Sequence, residues 1–237
     1  MTHNGGALGI LQLQNVPQTM AGSLSNPATF SFPTIFRQVP GAWTKNVVLG
    51  GEDKKLEAAF ISAAKELVSD GAVAITSNCG FTVKYQKAMT QALSVPVSMS
   101  SLLLLPYLMA TVKGRVGILT FDSRPLTSDL LKCAGIESRD RIAVAGIEYS
   151  ETWEIMSGPE NNYTTPQVSK DLQAAIAFMR KRYDDVEAIL FECAGFPIAT
   201  QEVRKQTQLP VYDAVTNANL LMSRYNISIP ESARKEA

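Results

Sequence analysis

The chain has 237 residues, 46% of them hydrophobic and 19% charged, with a formal net charge of zero. That length and composition support one large domain or two of about 110 residues with real cores. Balanced charge without like-sign blocks argues against nucleic acid or an anionic membrane as the partner. The longest apolar stretch, 102–110, is broken by Pro106 and too short to span a bilayer. Three scattered cysteines and an N-terminal segment without a signal-peptide pattern make a cytoplasmic location the expectation.

In chain order, short apolar runs alternate with helical periodicity. Strands are expected at 7–13, 45–49, 73–77, 95–98, 115–120, 142–148, 187–191 and 209–213. Helices are expected at 53–68, where Leu56, Phe60, Ala63 and Leu67 share a face, and at 165–183, where Val168, Leu172, Ile176 and Met179 do. Further helices are expected at 82–93, 197–207 and 214–225. This alternation predicts an α/β protein with parallel sheets covered on both faces.

The chain also repeats itself. Gly9-Ile10-Leu11-Gln12 opens one half and Gly117-Ile118-Leu119-Thr120 the other. An offset of 114 then carries Asp70 onto Asp184, Cys79 onto Cys193, Pro96 onto Pro210 and Val97 onto Val211. The expected architecture is two pseudo-symmetric, doubly wound, Rossmann-like lobes with the active site in the cleft between them. Residues 1–98 with 214–237 form the first lobe and 99–213 the second. Cys79 and Cys193 each end a strand and precede a helix, so both thiols are expected to enter the cleft, from opposite sides.

A thiol before a helix is tunable toward thiolate. The segments Gly80-Phe81 and Ala194-Gly195-Phe196 offer backbone N–H groups to a carboxylate. Two such thiols suit proton removal on one face of a carbon and return on the other. The only histidine is His3, no metal-ligand cluster is spaced for zinc, and no dinucleotide or phosphate-loop motif occurs; no metal and no cofactor are therefore expected. Cys133, beside Gly135, reads as a structural helix end. Glu192 is open between a salt-bridged structural role, a modulator of Cys193 and a contact to a substrate ammonium. Arg124 is a weaker candidate for a substrate carboxylate, Gln12 for the cleft wall, and 149–165 for a lid or an exposed connection.

The segments Ile75-Thr76-Ser77-Asn78-Cys79-Gly80-Phe81 and Phe191-Glu192-Cys193-Ala194-Gly195-Phe196-Pro197, with Asn26-Pro27-Ala28-Thr29-Phe30-Ser31-Phe32-Pro33, resemble the aspartate/glutamate/hydantoin racemase superfamily. The resemblance covers roughly residues 8–219. It implies a cofactor-independent isomerase with Cys79 and Cys193 as acid/base residues. The substrate contacts it implies are Asn26, Ser77, Asn78, Gly80, Thr120, Ala194 and Gly195. The expected activity is racemisation of a small, carboxylate-bearing amino acid or a hydantoin. A maleate-isomerase-like or arylmalonate-decarboxylase-like enzyme with one working cysteine is the alternative, and a non-catalytic ligand-binding protein the second. Gly195 stands where glutamate racemases carry histidine, which counts against glutamate. Room remains for a homo-oligomer.

Overall fold

The computed structural model describes residues 6–15, 19–51, 53–159 and 162–225. His3, part of the 149–165 segment, and the stretch from 226 onward assigned to the first lobe lie outside them. In the first half, β1 (Ala7–Gln12), β2 (Thr34–Gln38), α1 (Thr44–Leu49), α2 (Lys54–Ser69), β3 (Ala72–Ser77), α3 (Gln86–Ala92) and β4 (Val97–Ser98) follow one another. A crossing helix, α4 (Leu105–Thr111), leads to β5 (Arg115–Thr120), α5 (Ser128–Lys132), β6 (Ile142–Gly146), α6 (Glu151–Ser157), α7 (Thr165–Arg182), β7 (Val186–Phe191), α8 (Thr200–Thr207), β8 (Val211–Tyr212) and α9 (Ala214–Leu221). Two four-stranded parallel sheets result, ordered β2-β1-β3-β4 and β6-β5-β7-β8. This is the expected two-lobe α/β architecture.

Local chemistry explains the elements. Strand β1 is buried along its whole length because it pairs on both edges and is covered on both faces. Helix α2 starts where the Asp53 carboxylate accepts the N–H groups of Lys55 and Leu56. It buries Leu56, Phe60, Ala63, Ala64 and Leu67 against its sheet. A left-handed Gly71 (φ 100°) follows it. In α7, Pro166 sits in the first turn, and Arg180, Lys181 and Arg182 lie in the last turn against the helix dipole.

The repeat is visible in strand register. Ile75 pairs with Val97 in the first sheet, and Ile189 with Val211 in the second. Gly9 opposes Ile75 and Gly117 opposes Ile189, with a register irregularity at the start of both strands. Each half also lends a helix to the other. Helix α4, which leaves β4, packs on β5. Helix α9, which leaves β8, sets Ala214, Ala218 and Met222 against Leu8, Ile10 and Ala74 of the first sheet.

Residues 45–49, expected as a strand, form helix α1, and the second strand is Thr34–Gln38 instead. The run Val47-Val48-Leu49 is too short for periodicity to separate strand from helix. The Asn46 side chain decides it, accepting from the Trp43 N–H. The true strand lies at the sheet edge and is only half-buried, so its apolar signal is weak. The helix expected from residue 82 opens as a tight 3-10 turn, Gly80–Tyr85, before α3 begins.

Candidate active site

Both cysteines follow the carboxyl end of a strand next to the centre of a sheet. The Asn78 N–H donates to the Leu11 carbonyl, which fixes the chain just before Cys79. The Glu192 N–H donates to the Leu119 carbonyl and does the same before Cys193. Cys79 is then the residue that caps the Gly80–Tyr85 turn. The Thr82 hydroxyl, buried, reaches the carbonyls of Cys79 (2.6 Å) and Met99 (2.8 Å) and pins that turn.

One cavity between the lobes is lined by both cysteines, and the Cys193 sulfur feels Cys79 electrostatically. Asn78, Gly80, Ala194 and Gly195 line it as well. Apolar walls come from Leu13, Val48, Phe81, Phe121 and Met156. No Lys, Arg or His lines it among the described residues. Nor does any group of three or more His, Cys, Asp and Glu among them form a metal cluster.

The thiols are not poised as the sequence suggests. Burial, then the neighbouring Glu192, pushes Cys79 up to about 12. The N–H groups of Phe81 and Thr82 and the Lys84 ammonium pull the other way and lose. Cys193 is likewise raised well above the ordinary thiol range by burial, then by Glu192, despite the N–H groups of Gly195 and Phe196. The expectation of thiols lowered by the following helices is thus corrected. Desolvation outweighs the short turns, and the resting pocket holds two neutral thiols.

Glu192 is the acidic residue of the cavity wall and is 1% exposed. Its Oε2 lies 2.7 Å from the Thr120 hydroxyl, while its Oε1 has no hydrogen-bond partner among the described residues. Burial pushes its carboxyl up to about 7, against the Thr120 hydroxyl and the Phe121 N–H. The Thr120 contact serves both protonation states. Thr120 donates to the carboxylate; when Glu192 is protonated, Thr120 accepts from it and donates to the Asp122 carbonyl 3.3 Å away.

Three of the expected substrate contacts stand off the cavity wall. Thr120 is fully buried and reaches the site only through Glu192. Ser77 is buried in β3 with no partner for its hydroxyl among the described residues. Asn26 caps a 3-10 turn, Pro27–Thr29, by accepting from the Ala28 N–H, and its amide donates to the Thr19 carbonyl. Ser23 and Ser25, a few residues earlier, line the cavity in its place. Gln12 is buried off the wall, its carbonyl accepting from the Val39 N–H. Arg124 is half-exposed, forks onto Asp122 and lies over Tyr149 and Trp153. It too is absent from the wall.

Asn15, Thr44, Met156 and Tyr163 are wall residues that sequence reasoning missed. Asn15 ties the mouth of the cleft together. Its Oδ1 accepts from the Thr44 N–H and hydroxyl at the start of α1, and its Nδ2 donates to the Gly158 carbonyl at the end of α6. The position of Asn15, just beyond the carboxyl end of β1, was its one sequence signal. From the 149–165 segment, Met156 and Tyr163 line the cavity. Cys133 is exposed at the end of α5, followed by a left-handed Gly135 (φ 81°).

No protein-family model matches the chain. Sequence comparison finds a dimethylsulfoniopropionate lyase of Durusdinium, 30% identical over 226 residues, spanning 91% of this chain and 74% of that one. The chain belongs to the dimethylsulfoniopropionate lyase family. Dimethylsulfoniopropionate lyase 7 of Emiliania huxleyi is 26% identical across 92% of the chain, which spans 66% of that longer protein. Among solved structures, unliganded arylmalonate decarboxylase matches with a TM-score of 0.59 at 17% identity, covering 95% of this chain and 94% of that one. A glutamate racemase of Bacillus anthracis matches at 0.58 and 14%, covering 94% and 82%. An allantoin racemase of Pseudomonas fluorescens matches at 0.54 and 18%, covering 94% and 98%. The chain therefore shares the fold of the aspartate/glutamate/hydantoin racemase superfamily, and all these relatives and neighbours are enzymes. Among the described residues, no helix is long and apolar enough to cross a membrane.

Proposed function

We propose that this chain is a thiol-dependent lyase that eliminates a cationic leaving group from the β-carbon of a small carboxylate, dimethylsulfoniopropionate being the model substrate. The observation that carries this reading is the pair of thiols, Cys79 and Cys193, lining one mostly apolar cavity that holds no Lys, Arg or His among the described residues. Removing a proton next to a carboxylate needs a base held at that carbon with water excluded. Backbone N–H groups at the two cysteine loops suit the carboxylate oxygens on which charge develops.

The steps balance. A cysteine thiolate takes the α-proton, and the C–H electrons become the α–β double bond. The β-carbon–sulfur bond breaks with its electron pair on sulfur, releasing neutral dimethyl sulfide and acrylate. The thiol then returns its proton to solvent. A resting pocket of neutral thiols fits a substrate that brings positive charge, because a sulfonium beside Cys79 or Cys193 offsets the effect of Glu192 and favours the thiolate.

Racemisation shares the first step and differs in the fate of the carbanion. The lyase reading is preferred because the relative at 30% identity carries that name, whereas the racemase neighbours share 14% and 18%. The second thiol, at the pseudo-equivalent position, is the observation that favours two-base racemisation instead. The test is gas chromatography of dimethyl sulfide above purified protein given dimethylsulfoniopropionate. One equivalent of acrylate per sulfide supports the proposal; no sulfide above the rate of the Cys79→Ser/Cys193→Ser double variant refutes it.

A further inference from the structure

The two halves of the site are built alike and differ in charge at one place. Asn78 and Glu192 occupy the same position in the repeat, each immediately before its cysteine. Their backbones are held alike, Asn78 N–H on Leu11 and Glu192 N–H on Leu119. Their side chains are addressed alike as well: the Leu13 N–H donates to Asn78 Oδ1 at 3.0 Å, and the Phe121 N–H lies where it favours the Glu192 carboxylate. One half therefore presents an amide and the other an acid. Asn78 keeps its Nδ2 donor with no protein acceptor among the described residues, and Glu192 keeps Oε1 unpartnered though buried. A buried carboxylate oxygen left without a partner is costly unless a ligand supplies one.

We infer that Glu192 is the cation-recognition group of the site and Asn78 its counterpart for the carboxylate, so that this pair fixes which way round a zwitterionic substrate lies. The inference deepens the reading proposed above and rests on it for the substrate's two charges. The other acceptors on the wall narrow the kind of cation. Asn15 Oδ1 accepts from Thr44 and Asn78 Oδ1 from Leu13, so the two wall amides are already engaged as acceptors and Glu192 is the one charged acceptor on the wall among the described residues. A fully alkylated onium has no N–H donors. It needs one counter-charge and apolar or aromatic walls, which Phe121, Tyr163 and Met156 supply.

The test compares two ligands without a good leaving group by titration calorimetry: zwitterionic 3-(trimethylammonio)propionate and 4,4-dimethylpentanoate, the isosteric anion whose tert-butyl head is uncharged. The wild-type protein should bind the cation about 10- to 100-fold more tightly, the scale of one charge pair in a partly screened site. Glu192→Gln keeps the shape and the Thr120 contact, and it should bring the two ligands to within a few-fold of each other while the tert-butyl carboxylate binds undiminished. A Glu192→Gln protein that keeps the full preference overturns the inference. Should that variant not fold, a wild-type protein that binds both ligands equally overturns it alone. Elimination plays no part in these ratios. A cation preference without lyase activity removes the lyase reading and keeps the Glu192 assignment, and lyase activity without the preference does the reverse.

Discussion

Replacing Gly80 by alanine would put a methyl group where the two lobes meet. An added Cβ would lie 2.2 Å from the Glu192 carbonyl oxygen and 2.3 Å from Glu192 Oε1. Real Cβ atoms do not approach so closely, and one of the two neighbours is backbone fixed by the Glu192–Leu119 bond. Overpacking of this kind costs about 1–3 kcal/mol. For a protein of this length, each kcal/mol moves the midpoint by roughly 2–4 °C, so the melt should fall by about 2–12 °C. Catalysis should suffer more than folding. Relief requires Cys79 and Glu192 to move apart, and a displacement of about 1 Å at a reacting centre can cost 10²-fold in rate. Gly51→Ala is the control, because nothing lies within 4 Å of a Cβ there. Thermal melts by circular dichroism and steady-state turnover of both variants give the answer. A Gly80→Ala protein that melts and turns over like Gly51→Ala would refute the packing described for the cleft.

Elimination needs one base, so Cys79→Ser or Cys193→Ser should lower kcat by about 10²–10⁴-fold, and the other should be milder; losses equal in both variants and confined to inversion would favour two-base racemisation. The Cys79 thiol, pushed up to about 12, should be alkylated by iodoacetamide at a rate still rising with pH at pH 9, and a plateau below pH 8 would contradict its burial. Glu192, raised from 4.5 to about 7 in the folded chain, holds its proton more tightly folded than unfolded. Stability should therefore fall as pH rises from 4.5 through 7, by up to about 3 kcal/mol, with Cys79, Cys193 and Tyr163 neutral throughout. The melting advantage of Glu192→Gln over wild type should accordingly be larger at pH 8 than at pH 5. Asn15→Ala releases three hydrogen bonds at the mouth of the cleft, so KM should rise and alkylation of Cys193 should quicken; unchanged values would deny Asn15 a closing role.

The lobes and the paired cysteines were legible because a repeat leaves the same residues at the same spacing. The offset that joins Cys79 to Cys193 reappears in the Ile75–Val97 and Ile189–Val211 pairs. Edge structure was less legible. Thr34–Gln38 pairs on one side only and stays half-buried, so neither periodicity nor hydrophobicity marks it. Wall residues drawn from loops were hidden for a different reason. Asn15 and Tyr163 reach the cavity from connections, and Met156 from the short helix α6, through a folding back that the spacing along the chain does not encode. The direction of the thiol shifts was misjudged because a cysteine's position before a helix can be read from sequence, whereas the completeness of its desolvation depends on both lobes closing around it. Thr120 shows the intermediate case. Its strand-end position was evident, but its hydroxyl points to Glu192 and stands off the cavity wall.

Proton NMR in deuterium oxide, on one sample holding the protein, dimethylsulfoniopropionate, L-aspartate, L-glutamate and an enantiopure hydantoin, tests the central claim most directly. The account predicts vinyl signals of acrylate growing with the dimethyl sulfide signal, abolished in the Cys79→Ser/Cys193→Ser protein, while the α-protons of the amino acids and the hydantoin persist. Loss of an α-proton from one of those substrates with inversion of its centre, and no acrylate, would contradict it.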